Sequence, residues 1–255
     1  MSSDASDPVG VLDRMTSILE AFGDDDRGLG ISELALRAGL PKSTVSRLVS
    51  TLARQRYLER DGRQIHLGLR LFELGQLAEQ PRELRLAALP VMADLRSATG
   101  ETVHLAMRDG HEMVCLAVMR GRMPAPPTAR IGARLPIHAT ALGKSVLAFA
   151  GASDARDVLT AELTAWTTRT SVDPVRLQRE LDGIRRSGLA LERDEYAEGV
   201  TSVACPVFAP SGSVVAAISL SGNTGQFDAD RSAPALRAAA PALTRRLAAG
   251  GQSGV

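Results

Sequence analysis

The stretch from residue 31 to residue 63, ISELALRAGLPKSTVSRLVSTLARQRYLERDGR, constrains the fold more than any other part of the chain. Its apolar residues recur at helical spacing in two short runs, which are separated by Gly39-Leu40-Pro41. Glycine readily adopts the left-handed conformation that ends a helix, and proline is well tolerated where the next helix starts. Ser32 is placed to cap the first helix. The pattern predicts two short helices around a tight turn.

The polar face of the second predicted helix carries short hydroxyls and cations, which are the groups that hydrogen-bond phosphates and base edges. Its apolar stripe would face inward, so this polar face would be free to enter a DNA groove. With one arginine from the following hairpin, the predicted DNA contacts are Lys42, Ser43, Thr44, Ser46, Arg47, Arg54 and Arg63.

Residues 57–60 and 64–67 resemble two strands joined across Asp61-Gly62, a strong signal for a hairpin. Beside a helix-turn-helix such a hairpin is a wing. Residues 37–70 hold eight lysines and arginines against two acidic residues, whereas the whole chain has a net charge of only +1. This concentrated basic charge is typical of a surface that neutralises phosphates. The alternative is an ordinary helical pair with a solvated polar face, but turn, hairpin and charge together favour DNA binding.

Length and composition narrow the classes of protein to which the chain can belong. With 255 residues the chain is long enough for two domains, and 3% aromatic content argues against a platform that stacks on bases. The start lacks the features of a secretion signal and no long uncharged apolar run is present, so we expect a cytoplasmic protein without membrane contact. Cys115 and Cys205 are expected to be buried free thiols. Neither a metal site nor a cofactor site is indicated by the residue spacing.

The rest of the chain predicts an α+β domain built around an antiparallel sheet. A connecting helix is expected at 68–79, broken by Gln80-Pro81, and a long helix at about 82–98. The predicted boundaries are 1–67 for the winged helix-turn-helix domain, 68–80 for the linker helix, 81–249 for the second domain and 250–255 for a disordered tail. Predicted strands lie at 102–107, 113–119, near 128–131, and at 189–193, 200–208 and 213–220. Predicted helices lie at 140–149, 174–187 and 229–248.

Motifs of catalysis are weak. Gly143-Lys144-Ser145 resembles the end of a phosphate-binding loop, but His138 stands where the first glycine of that motif would fall. No G-x-S-x-G nucleophile elbow is present. We therefore predict no catalytic residues and a protein that is not an enzyme.

Five blocks resemble the IclR family of bacterial transcriptional regulators, in family order and over nearly the whole length. They are GLPKSTVSRLVSTL at 39–52, TGETVHLA at 99–106, IGARLPIHATALGKSVLA at 131–148, DEYAEGVTSVACPV at 194–207 and VVAAISLSG at 214–222. The resemblance implies a winged helix-turn-helix joined by a helix to a ligand-binding domain with a GAF-like sheet. It also implies a homo-oligomer, either a dimer or a dimer of dimers, that responds to small organic acids.

The resemblance places an effector pocket in the second domain. Ser219 and Ser221 alternate along a strand and so share one face, and the start of the 140–149 helix offers N–H groups to a carboxylate. Together with apolar walls, the predicted effector-binding residues are Ala129, Ile131, Ile137, Leu142, Gly143, Glu192, Val200, Ser202, Ser219 and Ser221. The chain departs from the family at Glu192, Tyr196, Thr201 and Ser202, where aspartate, histidine, arginine and cysteine are common. His138 is either a ligand donor or a structural histidine, and His104 is expected to be a half-buried sheet residue.

The function predicted from these features is a ligand-responsive regulator that binds a double-stranded DNA operator and controls the catabolism of a small organic acid. An aromatic or short aliphatic carboxylate is expected as effector, and repression is favoured over activation. Effector binding would shift the oligomer between DNA-binding states. In the alternative, the second domain only oligomerises and binds no effector.

Overall fold

The helix-turn-helix and its wing form one compact unit, which extends to Glu79. A computed structural model describes residues 10–23, 25–122 and 130–250. Within the first unit the elements are α1 (Val11–Glu20), α2 (Ile31–Arg37), α3 (Lys42–Arg54), β1 (Leu58–Asp61), β2 (Gln64–Leu67) and α4 (Leu69–Gly75). Apolar residues from every one of these elements except α4 form a common core that includes Ile18, Leu34, Val45, Val49, Leu58 and Ile65.

The turn between α2 and α3 depends on Gly39, whose φ of +63° is a conformation that side chains with a Cβ resist. Pro41 precedes α3 as its N-cap residue. The prediction that Ser32 caps α2 is wrong, because Gly30 is the N-cap and Ser32 lies inside the helix. The reason is a backbone bridge, in which Leu29 and Ile65 exchange two N–H···O bonds of 2.9 Å, so that the helix starts immediately afterwards.

The wing consists of β1 and β2, which pair antiparallel with Asp61 opposite Gln64. Leu58 and Ile65 point into the core, and the other strand residues are exposed except for the half-buried His66. Helix α4 is tied to this hairpin, since the Gly68 N–H donates to the Tyr57 carbonyl at 2.8 Å and the Leu69 N–H to the Glu59 carboxylate at 3.2 Å.

The predicted linker helix is shorter than expected. Helix α4 ends at Gly75, and α5 (Glu79–Thr99) starts three residues before the predicted helix. Pro81 therefore lies in the first turn of α5 and does not break a helix, because an N–H in the first turn has no intrahelical acceptor to lose. The second compact unit begins at Gln80.

A six-stranded antiparallel sheet organises the second unit, with the strand order β5-β4-β3-β8-β7-β6. Its strands are β3 (Thr102–Asp109), β4 (Glu112–Met119), β5 (Arg134–Pro136), β6 (Ala190–Arg193), β7 (Val200–Phe208) and β8 (Val214–Asn223). Its further helices are α6 (Ala141–Phe149), α7 (Ala152–Thr160), α8 (Pro174–Ser187) and α9 (Ala229–Gly250).

Two apolar cores lie on opposite faces of this sheet. One packs α5 and α9 against large residues such as Val103, Leu105 and Ile218. The other packs α6, α7 and α8 against small residues such as Ala106, Ala204 and Ala217, which alternate with the first set along the strands. Because alanine leaves room, α6 can approach the sheet closely. The predicted α+β class is confirmed.

Two predicted segments differ from the structure, and one helix was not predicted. The strand expected near 128–131 is a turn at Arg130 and Ile131, closed by a 3.0 Å bond from the Ala133 N–H to the Arg130 carbonyl, and the strand follows at Arg134. Residues 128 and 129 lie outside the described residues. Helix α7 was not predicted. Gly250, assigned to the tail, is the last residue of α9, and the remaining tail residues are likewise outside the described part.

Candidate functional site

The first candidate surface is the outward face of α3 with the tip of the wing. Four apolar residues of α3 are buried, namely Val45, Leu48, Val49 and Leu52. All the predicted DNA contacts lie elsewhere on the helix or at the hairpin turn, and apart from the partly buried Thr44 they are exposed. The helical spacing thus places the hydroxyls and cations together on one side.

The cations of this surface are not committed to ion pairs. In the described part of the chain, Lys42, Arg47, Arg54 and Arg63 have no carboxylate within ion-pair distance. Arg37, by contrast, bonds Asp26 at 2.6 Å and Glu33 at 2.8 Å, and the guanidinium holds the pKa of the Asp26 carboxyl below its usual value. Arg37 is therefore a structural cation that joins α2 to the loop after α1.

The second candidate site is a buried pocket between the sheet and the start of α6. Its lining residues come from five strands, α6 and the segments before α6 and after β6: His104, Leu135, Thr140, Leu142, Glu192, Tyr196, Val200, Ser202, Ser219 and Ser221. The cavity volume is about 30 Å³, the room of a single water molecule.

Strand register explains why the polar side chains meet here. Glu192 lies opposite Ser202, and Ser202 lies opposite Ser221. Two residues away from Ser221 on β8, Ser219 lies opposite His104 of β3. Residues opposite one another in an antiparallel sheet share a face. Ala106, Ala204 and Ala217, which pack under α6, lie on the same face. The polar side chains continue this face beyond the alanines.

Glu192 is the charged residue of the lining. It is 4% exposed, and its carboxylate accepts hydrogen bonds from the Ser202 hydroxyl at 2.6 Å and the Tyr196 N–H at 3.2 Å. Burial raises the pKa of the Glu192 carboxyl. Burial, together with the nearby charge of Arg120, lowers the pKa of His104 to about 4, so its imidazole is neutral at pH 7. The pocket wall thus offers hydroxyls, a neutral imidazole and a carboxyl, and none of its lining residues is a lysine or arginine.

The start of α6 forms the opposite wall. The Thr140 hydroxyl accepts from the Gly143 N–H at 3.1 Å and donates to the Pro136 carbonyl at 2.8 Å. The Gly143 N–H is therefore used by the cap, and the N–H groups of Ala141 and Leu142 precede the first intrahelical bond. These two groups are the part of the helix start that can hold an anionic atom.

Six of the predicted effector residues line the pocket: Leu142, Glu192, Val200, Ser202, Ser219 and Ser221. Ile137 and Gly143 do not line the pocket. They pack against each other, since a Cβ on Gly143 would be 2.1 Å from the Ile137 carbonyl oxygen. Ile131 does not line the pocket and is 56% exposed in its turn, because the strand expected there does not form. Ala129 lies outside the described residues.

Sequence reasoning omitted four lining residues from the predicted site, His104, Leu135, Thr140 and Tyr196. His104, expected to be half-buried, is 4% exposed and its Nδ1 lies 3.5 Å from the Ser221 hydroxyl. Thr140 has a signal in the sequence, since a threonine before a helical run is a typical N-cap. His104 has none, because its role depends on pairing with a strand more than 100 residues away.

Lys144 is a structural residue behind this pocket. Its side chain is fully buried, and its Nζ donates to Glu180 at 2.5 Å and to Glu195 at 2.7 Å. His138 is also structural, because its Nε2 lies 3.0 Å from the Thr164 carbonyl.

Other site types find no support in the described residues. No group of three or more potential metal ligands occurs among them. Within the same part of the chain, no helix is both long and apolar enough to span a membrane. Cys115 and Cys205 are buried free thiols, and burial raises the pKa of each to about 11.

Comparison with known proteins gives the same assignment for both units. The IclR helix-turn-helix domain matches residues 11–62, and the bacterial transcriptional regulator IclR C-terminal domain matches residues 77–245. The chain is 33% identical over 220 residues to the HTH-type transcriptional regulator XynR of Escherichia coli K12, covering 85% of this chain and 87% of that protein. It is 33% identical over 223 residues to the HTH-type transcriptional repressor AllR of Klebsiella pneumoniae, covering 86% and 82%.

A crystal structure of an IclR homologue from Microbacterium hydrocarbonoxydans, in complex with 4-hydroxybenzoate, superposes with a TM-score of 0.87. It is 31% identical, and the match covers 94% of this chain and 100% of that one. The Thermotoga maritima IclR structure gives a TM-score of 0.78 at 29% identity, covering 92% and 98%. The two domain matches correspond to the two units described above, and the chain belongs to the IclR family of bacterial transcriptional regulators.

Proposed function

We propose that this protein is a ligand-responsive regulator, with repression as its basal action, whose pocket beneath Ser219 and Ser221 binds a small organic acid. The observation that carries this proposal is the buried row of polar side chains from β6, β7, β8 and β3, which faces the start of α6. A row of this kind costs stability in an apolar core unless it serves an occupant or a full set of internal partners.

The α3 surface is the proposed operator contact. Ser43, Thr44, Ser46 and Arg47 are positioned to contact bases or phosphates, whereas Lys42, Arg54 and Arg63 are assigned mainly to phosphates. Uncommitted cations support this assignment, because a cation already held in an ion pair would have to break it to neutralise a phosphate.

A monocarboxylate with a donor group at its other end fits the pocket best. The N–H groups at the start of α6 and the serine hydroxyls can hold the carboxylate, and Glu192 can accept a hydrogen bond from a hydroxyl of the ligand. The relative bound to 4-hydroxybenzoate carries such a ligand. We assign the effector to the aromatic or short aliphatic carboxylates.

The volume of the cavity supports a proposal for how a ligand would act. Because about 30 Å³ cannot hold an organic acid, binding requires side chains such as Tyr196 or Leu142 to move. A ligand that binds only the opened pocket shifts the population towards that conformation. We infer that this shift alters the oligomer and with it the spacing of two recognition helices, which must enter major grooves about 34 Å apart.

A thermal-shift and calorimetry series tests the effector assignment. The probes are 4-hydroxybenzoate, benzoate and pyruvate, with matched alcohols lacking the carboxylate as negative controls. Ser221→Ala should weaken binding of the responding acid by about tenfold or more, since a hydrogen bond to a charged group contributes about 1.5–3 kcal/mol. DNA binding without ligand should persist.

Ser153→Ala, which removes an exposed hydroxyl from α7, is the matched control and should bind the acid normally. If no acid stabilises the protein, or if Ser221→Ala binds as well as the parent, the effector assignment fails. The first of these outcomes would favour a second unit that only oligomerises.

A further inference from the structure

We propose that the second unit carries a second ligand site, separate from the effector pocket, for small organic molecules with two or more oxyanionic charges. The site is a cavity of about 580 Å³ whose wall includes Arg169, Ser171, Arg176, Glu180, Arg193 and Glu195. This volume falls in the range of small-molecule sites and is far larger than that of the effector pocket.

Three arginines line this cavity, each from a different part of the fold. Arg169 comes from the loop between α7 and α8, Arg176 from the first turn of α8, and Arg193 from the end of β6. In the described part of the chain Arg176 and Arg193 have no ion-pair partner, and Arg169 reaches Asp194 only at 3.8 Å. Arginine forks match the geometry of carboxylates and phosphates, so three of them around one cavity favour a ligand with several such groups.

The two carboxylates of the wall do not cancel this charge. Glu180 and Glu195 both accept hydrogen bonds from the buried Nζ of Lys144, at 2.5 and 2.7 Å. The ammonium group of Lys144 therefore already lies between the two carboxylates, where a bound cation would otherwise lie. With the lysine included, positive groups exceed negative ones, and the cavity is suited to an anion.

Two buried polar atoms in the wall have no partner within the protein. Ser171 is 5% exposed and its hydroxyl makes no hydrogen bond, and the Oε2 atom of Glu195 is likewise buried and unpaired. Buried polar groups are hydrogen-bonded in the great majority of cases, so each exception requires an explanation. A bound oxyanion supplies the acceptor that the Ser171 hydroxyl lacks. A water molecule bound beside it supplies the donor that Oε2 of Glu195 lacks.

The second site shares a short segment with the effector pocket. Glu192 and Tyr196 line the effector pocket, whereas Arg193 and Glu195 line the second cavity. Lys144 follows directly on the start of α6. A ligand in either site would therefore contact the same short segment, residues 192–196. Binding at the second site does not depend on the effector proposal.

Calorimetry on the full-length protein tests this site, with citrate and glucose 6-phosphate as probes at an ionic strength held constant with chloride. We expect saturable binding of at least one probe, with one molecule per chain. The Arg176→Gln/Arg193→Gln double variant should weaken it by about tenfold or more, because each lost charge-assisted pair contributes to affinity. Tighter binding of citrate would assign the site to polycarboxylates, and tighter binding of glucose 6-phosphate to phosphate monoesters.

Two controls separate the site from general charge effects and from the effector pocket. Arg186→Gln removes an exposed charge from the other end of α8 and should leave the affinity unchanged within about twofold. Ser221→Ala should also bind the probes normally. The proposal is overturned if neither probe binds at millimolar concentration, if the double variant binds like the parent, or if Ser221→Ala abolishes binding.

Discussion

Burial shifts the pKa values of single residues in the proposed effector pocket in the direction that favours the neutral form. His104 is the clearest case, because its pKa is lowered to about 4, from an ordinary value of 6.5. Ser221, Ser219 and Glu192 share the pocket with it, and Arg120 contributes an unfavourable positive charge. A charged imidazole at this position would be buried and close to the positive charge of Arg120, and both effects disfavour it.

The lowered pKa of His104 predicts a loss of stability in acid. The folded state resists protonation and the unfolded state does not, so the contribution of His104 is complete above pH 6.5 and falls as pH decreases towards 4. Between pH 7 and pH 4.5 this loss should be about 2–3 kcal/mol, from 1.36 kcal/mol per pKa unit. Urea unfolding should show that His104→Asn loses less stability than the parent over this range.

His111→Asn, in the exposed turn between β3 and β4, controls for removal of an imidazole. Glu192 contributes with the opposite sign, because its pKa is raised, but it is present in all three proteins. Parallel curves for His104→Asn and the parent would contradict the assignment of a neutral buried His104.

The residues of the pocket were predictable where local pattern decides their position. Ser219 and Ser221 share a face because a strand has a period of two, and Leu142 follows from the start of a helix. His104 and Tyr196 were not predictable in this way, because strand register and the path of the segment after β6 place them. Ile131 was assigned wrongly since a turn replaces the expected strand.

At the scale of elements, α3 presents two classes of contact on one helix. Arg47 stands beside the hydroxyls in the middle of the face, and Lys42 stands at the first helical position. If Arg47 contacts a base and Lys42 a phosphate, as proposed above, their replacement should have different consequences.

Arg47→Ala should weaken binding to an operator selected from a random duplex pool by roughly 1–3 kcal/mol and relax its sequence preference. Lys42→Ala should weaken binding to all sequences similarly and reduce the salt dependence by about one counterion. Fluorescence anisotropy against salt concentration measures both. Equal behaviour of the two variants would remove Arg47 from the base-reading role.

The elements themselves were largely predictable, for reasons that are local. Glycine, proline and apolar spacing define α2 and α3, and Asp173 with Gly188 defines α8, which they cap at its two ends. Helix α7 was missed because its nine residues begin after a glycine without a side-chain cap. The turn between α4 and α5 was misplaced because Pro81 was interpreted as a helix breaker.

For the whole molecule, the exposed apolar residues of the first unit are the feature that bears on assembly. Leu69 is 54% exposed, Phe72 63% and Leu77 72%, all on or directly after α4. We propose that a second copy of the chain buries these residues, in a dimer or a dimer of dimers.

Replacing Phe72 tests this proposal. Phe72→Ser should shift the monomer–dimer equilibrium towards monomer by about tenfold or more, because burying a phenylalanine contributes about 1.5–3 kcal/mol. Sedimentation velocity over a concentration series measures the shift, and DNA binding should become more dependent on protein concentration. Leu86→Ser, which alters a residue of α5 that is 62% exposed, is the matched control. Dimers of unchanged strength in Phe72→Ser would exclude this surface.

The close approach of Gly143 to Ile137 has a consequence for how such a regulator can diversify. A Cβ at residue 143 would lie 2.1 Å from one backbone atom and 2.4 Å from another, so no other amino acid fits without moving the chain. The hydroxyl-bearing positions around the pocket carry no such restriction. A lineage descended from this protein can therefore acquire new chemical signals by exchanging Ser202, Ser219 or Tyr196, while the glycine that frames them is inherited unchanged.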